Sequence, residues 1–338
     1  MRTVIFAGNS RIDVKDLPIP EPGPGEVLIK VDASAICGSE MKTFRSAEGH
    51  PTNTGHEFVG TVVANSEGVG PHVGARIAAN IITGCGECEY CRAGDRRFCD
   101  QQGYLRTGHA EYAAMPAVCC MPLPDELPFD EGVLLGGDTL GVANHALAKT
   151  GLHPGDTVAV VGCGPVGLGF VSLLCFKGVR TIAVEMSPFR RDLAARAGAA
   201  EVIDPASTDA RLEIRGLTGG KGVDVGIDAS GSDAGVNLAL DAVRKEGRFV
   251  YAGAGHKATI NPWKQFLEKE ITAYGVWYFV DRDYHALLDL YRQGLRVGSL
   301  ITHRFHLDNA PAAYHLFSRG ETGKVIFVPG DQPVTAAS

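Results

Sequence analysis

The 338-residue chain carries 39 acidic against 32 basic residues, for a formal net charge of −7 and a pI near 5.9. That balance argues against a nucleic-acid or polyanion surface. Apolar residues make up 45% and charged residues 21%, the composition of an ordinary soluble globular protein, and no apolar run reaches the roughly 18 residues of a membrane span. The length suits about two domains. Met1–Ser10 lacks a basic-then-apolar leader pattern. Nine cysteines, four of them within 15 residues, suit a metal site in a reducing compartment better than a disulfide framework, so the expected location is cytoplasmic.

In chain order, Val4–Phe6, Ile12–Val14 and Val27–Ala33 read as strands, with Pro18, Pro20, Pro22 and Pro24 stiffening the loop before Gly25. A helical stretch starts at Cys37. Gly55-His56-Glu57 leads into a strand over Phe58–Ala64, and Gly74–Asn80 reads as another. Up to about residue 143 the chain is β-rich, and from about 150 strands and helices alternate. Strands are expected at Thr157–Val161, Thr181–Val184, Glu201–Ile203, Val223–Asp228 and Gly247–Tyr251, with helices at Gly167–Lys177 and Asp233–Val243. This rhythm predicts a doubly wound parallel sheet, so the fold class is α/β with a separate β-rich domain. Two more helices (Tyr284–Gln293 and Ala310–Ser318) and a strand at Val325–Val328 complete the pattern, and Gly330–Ser338 reads as a frayed tail.

Within the alternating half, Gly162, Gly164 and Gly167 have the G-x-G-x-x-G spacing between a strand and a helix. The first glycine permits a tight turn, the second lets backbone approach a pyrophosphate, and the third lets helix pack on strand. Pro165 and Val166 lie inside the same turn, and the helix N-terminus would face phosphate oxygens. Glu185 ends the next strand, 23 residues after Gly162, where an acid accepts from both ribose hydroxyls and repels a 2′-phosphate. Arg190 and Arg191 come shortly after it. They could stack on adenine or neutralise a 2′-phosphate, and the acid favours NAD over NADP.

Cys85, Cys88, Cys91 and Cys99 have the spacing C-x2-C-x2-C-x7-C, with Gly84, Gly86 and Gly94 interspersed. Four thiolates that close can wrap tetrahedrally round Zn²⁺, and a closed shell of four marks a structural site. Cys37, His56 and Glu57 suggest a second metal site, since catalytic zinc takes a few N, S or O ligands and keeps a position open. The other ten histidines show no ligand spacing. Cys119, Cys120, Cys163 and Cys175 read as small hydrophobes.

These motifs, in this order, resemble the zinc-dependent medium-chain alcohol dehydrogenases, and most closely a sorbitol/threonine dehydrogenase-like branch. Ile36-Cys37-Gly38-Ser39-Glu40, Gly55-His56-Glu57, the four-cysteine lobe at about 84–100, Gly162–Gly167 and Leu300-Ile-Thr-His-Arg-Phe carry the likeness over nearly the whole chain. The resemblance implies a GroES-like catalytic domain (1–143 and 283–338) and a Rossmann-type cofactor domain (144–282). It matches Cys37 and His56 to catalytic zinc ligands, and Glu57 to an acid that is a ligand in some members and stands behind the metal in others. Asp138 becomes a candidate fourth ligand, and Ser39 the hydroxyl that starts the proton relay. Glu40 stands where the family usually has Asp. Lys42 stands where many members have a relay His, so protons leave through Lys42, the ribose hydroxyls or water, unless Lys42 is simply solvated.

The resemblance also implies hydride transfer between NAD(H) and a secondary alcohol or ketone, with one catalytic and one structural zinc per chain and a homodimer or homotetramer. The polar 45–53 segment points to a polyol, sugar, cyclitol or amino-alcohol. Alternatives are a simple secondary-alcohol or threonine-type dehydrogenase, a zinc-free quinone or enoyl reductase on the same fold, and a non-catalytic dinucleotide-binding zinc protein.

Overall fold

A computed structural model describes residues 1–329 apart from Glu67, Val69 and His256, so the expected tail at 330–338 lies outside the described residues. The chain divides into two compact units: residues 1–141, 280–290 and 296–338, and residues 142–279 with 291–295.

The first unit opens with a hairpin of β1 (Arg2–Gly8) and β2 (Arg11–Asp16). Asn9 and Ser10 both take positive φ, the left-handed pair that a two-residue turn needs to match strand twist. Then come β3 (Glu26–Ala35), the short helix α1 (Met41–Arg45), β4 (Phe58–Asn65), β5 (Arg76–Ala79) and β6 (Ile82–Thr83). Helix α2 (Glu89–Arg92) sits in the cysteine lobe. After it come β7 (Gly103–Tyr104), β8 (Tyr112–Pro116), β9 (Cys120–Pro122), α3 (Phe129–Leu135) and the start of α4 (Asp138–Thr150), which from Val142 on belongs to the second unit. The strand expected over Gly74–Asn80 is confined to Arg76–Ala79, because Gly74 takes a positive φ of 92° in a turn.

The second unit is an all-parallel six-stranded sheet. Its strands are β10 (Thr157–Val161), β11 (Arg180–Val184), β12 (Glu201–Ile203), β13 (Val223–Asp228), β14 (Val243–Tyr251) and β15 (Thr272–Gly275), in the order β12-β11-β10-β13-β14-β15. Helices α5 (Pro165–Phe176), α6 (Pro188–Arg196), α7 (Ala210–Leu217) and α8 (Asp233–Ala242) make the first four crossovers, and a single turn at Trp263–Leu267 lies in the fifth. Strands β10 and β13 are buried almost throughout, as central parallel strands covered on both faces must be. The order reverses between β10 and β13, which opens a crevice at their carboxyl ends. Helix α5 starts two residues before its expected start: Gly164 is the N-cap and Pro165 the first helical residue, a position where proline loses no hydrogen bond.

Helix α9 (Asp281–Arg292) leads back into the first unit, which closes with β16 (Ile301–Phe305), α10 (Ala310–Ser318) and β17 (Lys324–Phe327). The main sheet there runs β16-β17-β3-β4-β5-β9, with β8 also paired to β3. Phe6, Phe44, Tyr314, Phe317 and Phe327 form the core between α10 and the strands. No helix among the described residues is long and apolar enough to cross a membrane.

Candidate active site

Strand β3 ends next to a segment far away in sequence. The Ala35 amide donates to Glu57 O at 2.9 Å, and the Ile36 amide to Val325 O at 3.0 Å. Those two bonds bring the turn after β3, the segment before β4 and strand β17 to one place. Cys37 caps a tight 3-10 turn over Gly38–Glu40 that leaves Ser39 exposed and buries Glu40. Asp138 begins α4, and its amide donates to Glu57 Oε2 at 3.1 Å, so Glu57 sits at the positive end of a helix. Residue 137 has to be glycine here, because a Cβ would overlap Glu57 Oε2 and Val133 O.

The result is a cluster in which one ligand atom each from Cys37, His56, Glu57 and Asp138 lie within 4.8 Å of one another. Asp138 Oδ2 is 3.4 Å from Cys37 Sγ and 3.3 Å from His56 Nε2. Ser39 Oγ lies 3.3 Å from Cys37 Sγ and 3.4 Å from His56 Nε2. His56 Nδ1 faces two acceptors, Thr54 O at 2.9 Å and Glu40 Oε1 at 3.3 Å. Nδ1 therefore carries a hydrogen, and Nε2 is the nitrogen turned toward Cys37 and Asp138, free to ligate an ion that the three would share.

Charge at the site is unusual. Burial, then the Asp138 carboxylate, pushes the Cys37 thiol above its ordinary range. Burial also disfavours a charged His56, yet Cys37, Asp138 and Glu40 outweigh it and raise its pKa well above normal. Glu40 is buried too, but His109 and His56 hold it down to about 2. Lys324 Nζ donates to Glu57 Oε1 at 2.6 Å with both side chains fully enclosed. Burial works against that ammonium, and Glu57, Cys37 and Asp138 raise its pKa regardless.

Cys37, Glu57, Asp138 and Glu40 crowd four acidic groups round His56 and Lys324, and a divalent cation would favour the ionised forms that burial and mutual repulsion oppose. Asp138 Oδ1 is buried with no hydrogen-bond partner, the condition of a carboxylate oxygen in need of a cation. Thiolate, imidazole and carboxylate together are a zinc donor set. The residues present fit the metal.

The second cluster is Cys85, Cys88, Cys91 and Cys99. Backbone amides point at the sulfurs: Cys88 N to Cys85 Sγ at 3.3 Å, Cys91 N to Cys88 Sγ at 3.4 Å, and Cys85 N and Gln101 N to Cys99 Sγ at 3.3 Å. The amides of Glu87 and Cys88 lower the Cys85 pKa to about 7, while burial raises Cys91 to about 12, so amide donors favour the thiolate at Cys85 and not at every sulfur. Arg96 fastens the lobe by donating to Ile82 O at 2.9 Å and pairing with Asp281 at 3.2 Å.

In the second unit, Gly162 has φ 89°, and a Cβ on it would strike Ser230. A Cβ on Gly167 would overlap the carbonyl of Gly162. Glu185 directly follows β11, with Oε2 accepting from Cys163 N at 2.7 Å and Oε1 from Ser187 N at 2.8 Å, which fixes the carboxylate against the glycine turn. Pro165 and Val166 form the first turn of α5, and Arg190 lies partly buried near Gly164 and Glu185. Arg191 is engaged by Asp204 at 3.1 Å and by the carbonyls of Glu185 and Met186. Lys42 is exposed, consistent with a solvated lysine.

Sequence reasoning missed Lys324, His109, Tyr314 and Asp228. Asp228 ends β13 and accepts from Ser230 N and Oγ and from Gly231 N, holding the turn at the sheet crevice. For Lys324 there was one signal, a lysine opening a strand otherwise made of Val-Ile-Phe.

A six-stranded parallel sheet of this order and a β unit with two metal-ligand clusters, in one chain, define a zinc-dependent dehydrogenase. Residues 23–125 match the family described as Alcohol dehydrogenase GroES-like domain, and residues 165–293 the family described as Zinc-binding dehydrogenase. An L-threonine 3-dehydrogenase of Pectobacterium atrosepticum is 30% identical over 327 residues, covering 92% of this chain and 89% of that one. Among solved structures, an alcohol dehydrogenase from Thermus sp. ATN1 superposes with TM-score 0.89 at 30% identity, covering 98% of this chain and 100% of the other. A 2R,3R-butanediol dehydrogenase from Bacillus subtilis gives TM-score 0.84 at 28% identity, covering 97% and 99%. The chain belongs to the zinc-dependent medium-chain alcohol dehydrogenases, in their threonine/sorbitol dehydrogenase-like branch. It is an oxidoreductase of CH–OH donors that works with zinc and a nicotinamide dinucleotide on small alcohols or ketones.

Proposed function

We propose that this enzyme oxidises a secondary alcohol bearing further hydroxyl or amino groups, a polyol, sugar, cyclitol or amino-alcohol, or reduces the matching ketone, with NAD as hydride partner. The observation that carries the reading is the convergence of Cys37, His56 and Asp138 on one point with the exposed Ser39 hydroxyl against them. In this reading Cys37, His56 and Asp138 hold the catalytic zinc. Both Glu57 oxygens are already engaged by Lys324 and the Asp138 amide, so Glu57 stands behind the metal. Cys85, Cys88, Cys91 and Cys99 hold a structural zinc.

Bound at the first cluster, zinc supplies a Lewis acid that polarises the substrate oxygen. Ser39 takes the hydroxyl proton and releases its own to solvent, which its exposure allows. Glu40 and Thr54 keep the His56 ring in one tautomer. In the second unit the turn Gly162–Gly167 and the α5 N-terminus take the pyrophosphate. Glu185 takes the ribose hydroxyls, and NAD rather than NADP is favoured because Arg191 is already committed to Asp204. An amino-alcohol is the member of the substrate class favoured by the threonine dehydrogenase relatives.

The reading extends to assembly and place. Strand β15 is the last of its sheet, with Trp263 and Leu267 exposed nearby in sequence, which supports a homodimer or homotetramer. Cysteines without disulfides support the cytoplasm.

The test is absorbance at the reduced-nicotinamide band with NAD and a panel of polyols, sugars, cyclitols, amino-alcohols and simple secondary alcohols, with and without chelator. A chelator-sensitive signal from a hydroxylated or amino-alcohol group supports the reading. Turnover of simple alcohols alone overturns the substrate class. Silence from a protein holding only the four-cysteine zinc overturns catalysis.

A further inference from the structure

The carboxylate of Glu40, 2% exposed, is the centre of a buried polar network that extends well past the metal cluster. Oε1 lies 3.3 Å from His56 Nδ1. Oε2 accepts from the Tyr314 hydroxyl at 2.8 Å and from the Cys37 amide at 3.4 Å. His109 Nε2 lies 3.2 Å from Oε1 and 3.3 Å from Oε2, and since a carboxylate only accepts, Nε2 carries the hydrogen. His109 is itself fixed: Ser34 Oγ is 3.0 Å from Nδ1, and its amide donates to Asn53 Oδ1 at 3.2 Å. Its ring meets Phe327 edge-on at 5.1 Å and Tyr314 at 6.2 Å. His109 and Tyr314, from two distant parts of the chain, thus converge on one carboxylate, which also touches the imidazole facing the metal cluster.

We infer that His109 and Tyr314 are positioning residues for His56, acting through Glu40; the inference rests on the zinc reading above. An acceptor on the non-ligating nitrogen of a histidine fixes its ring orientation and raises the basicity of the ligating one. Glu40 can act so only while its own oxygens are held. A buried carboxylate left with the His56 and Cys37 contacts alone would be under-satisfied and would turn from His56 toward other donors. His109 and Tyr314 supply the missing donors from the side away from the metal.

The experiment is zinc release from the purified zinc-loaded enzyme to a chromophoric chelator, with the four-cysteine zinc as internal control. His109→Phe fills the space without an N–H and is expected to speed release of the active-site zinc about tenfold or more. Tyr314→Phe removes one hydroxyl and is expected to speed it about threefold. His109→Gln keeps a donor on the side chain and restores most of the loss. In every variant the four-cysteine zinc leaves at the unmodified rate, which a general loosening of the fold would not allow. Unchanged release in Tyr314→Phe overturns the inference, even if His109→Phe fails to fold, and so does equal acceleration of both zincs. The zinc reading is checked separately: Cys37→Ala must hold one zinc fewer than the unmodified chain. If it does not, that reading falls and takes this inference with it, whereas two zincs with unaltered release overturn the inference alone.

Discussion

Lys324→Met removes a charge that no part of the chain's surface can replace. The ammonium is 1% exposed and lies 2.6 Å from Glu57 Oε1, whose side chain is completely buried. Methionine fills nearly the same volume, so the perturbation is an orphaned buried carboxylate. Breaking a buried pair from one side costs about 3–5 kcal/mol. The first unit holds about 200 residues. For a domain of that size each kcal/mol moves the midpoint by about 2–4 °C, so the expected drop in Tm is ~6–20 °C. Adding Glu57→Gln removes the unpaired charge and should recover more than half of that loss. Thermal unfolding of the two variants and the parent, all in excess zinc to keep metal occupancy equal, reads both effects. A drop below ~2 °C, or a double variant no more stable than Lys324→Met alone, refutes the argument.

Cys37→Ala should abolish turnover and lose one of two zincs while dinucleotide binding persists; zinc stoichiometry and NADH fluorescence check this, and retained turnover would remove Cys37 from the site. Gly167→Ala should abolish dinucleotide binding, because its Cβ would overlap the Gly162 carbonyl, and NADH titration reads it directly. Asp224 accepts from Thr157 N at 2.8 Å and Arg244 Nε at 2.6 Å; burial opposes its charge, but these bonds lower its pKa. A depressed carboxylate stabilises the fold above its unfolded pKa of about 3.9, and that contribution is lost as pH falls through the lower folded value. Asp224→Asn should therefore be less stable at neutral pH, with the gap in Tm closing below about pH 4; a constant gap would contradict the assignment.

The features legible from sequence are those in which spacing alone brings chemistry together. Four cysteines within 15 residues cannot spread far, so their number and intervals announce a metal lobe, and the structure brings the thiols to one point. A G-x-G-x-x-G turn between an apolar strand and a helix needs only local backbone geometry, and Gly162 and Gly167 meet the steric demands that make it diagnostic. Element boundaries were less legible where a cap decided them, as at Gly164-Pro165, or where a turn glycine cut a strand short, as at Gly74.

What only the tertiary structure decided is the long-range pairing. The strand–helix rhythm predicts a doubly wound sheet, but the order in which its strands lie, with β10 and β13 flanking the reversal, depends on how the layers pack. Lys324 reaches Glu57 across 267 residues, Tyr314 reaches Glu40 across 274, and His109 reaches it across 69. These residues sit in apolar surroundings that, in sequence, read as ordinary core. Burial makes an unpaired charge costly, so each partner must be met where the sheet and α10 bring it, and that place is set by packing rather than by spacing. The chain's own pattern therefore declares which metal and cofactor chemistry it carries, while the fold alone decides which buried groups hold that chemistry in position.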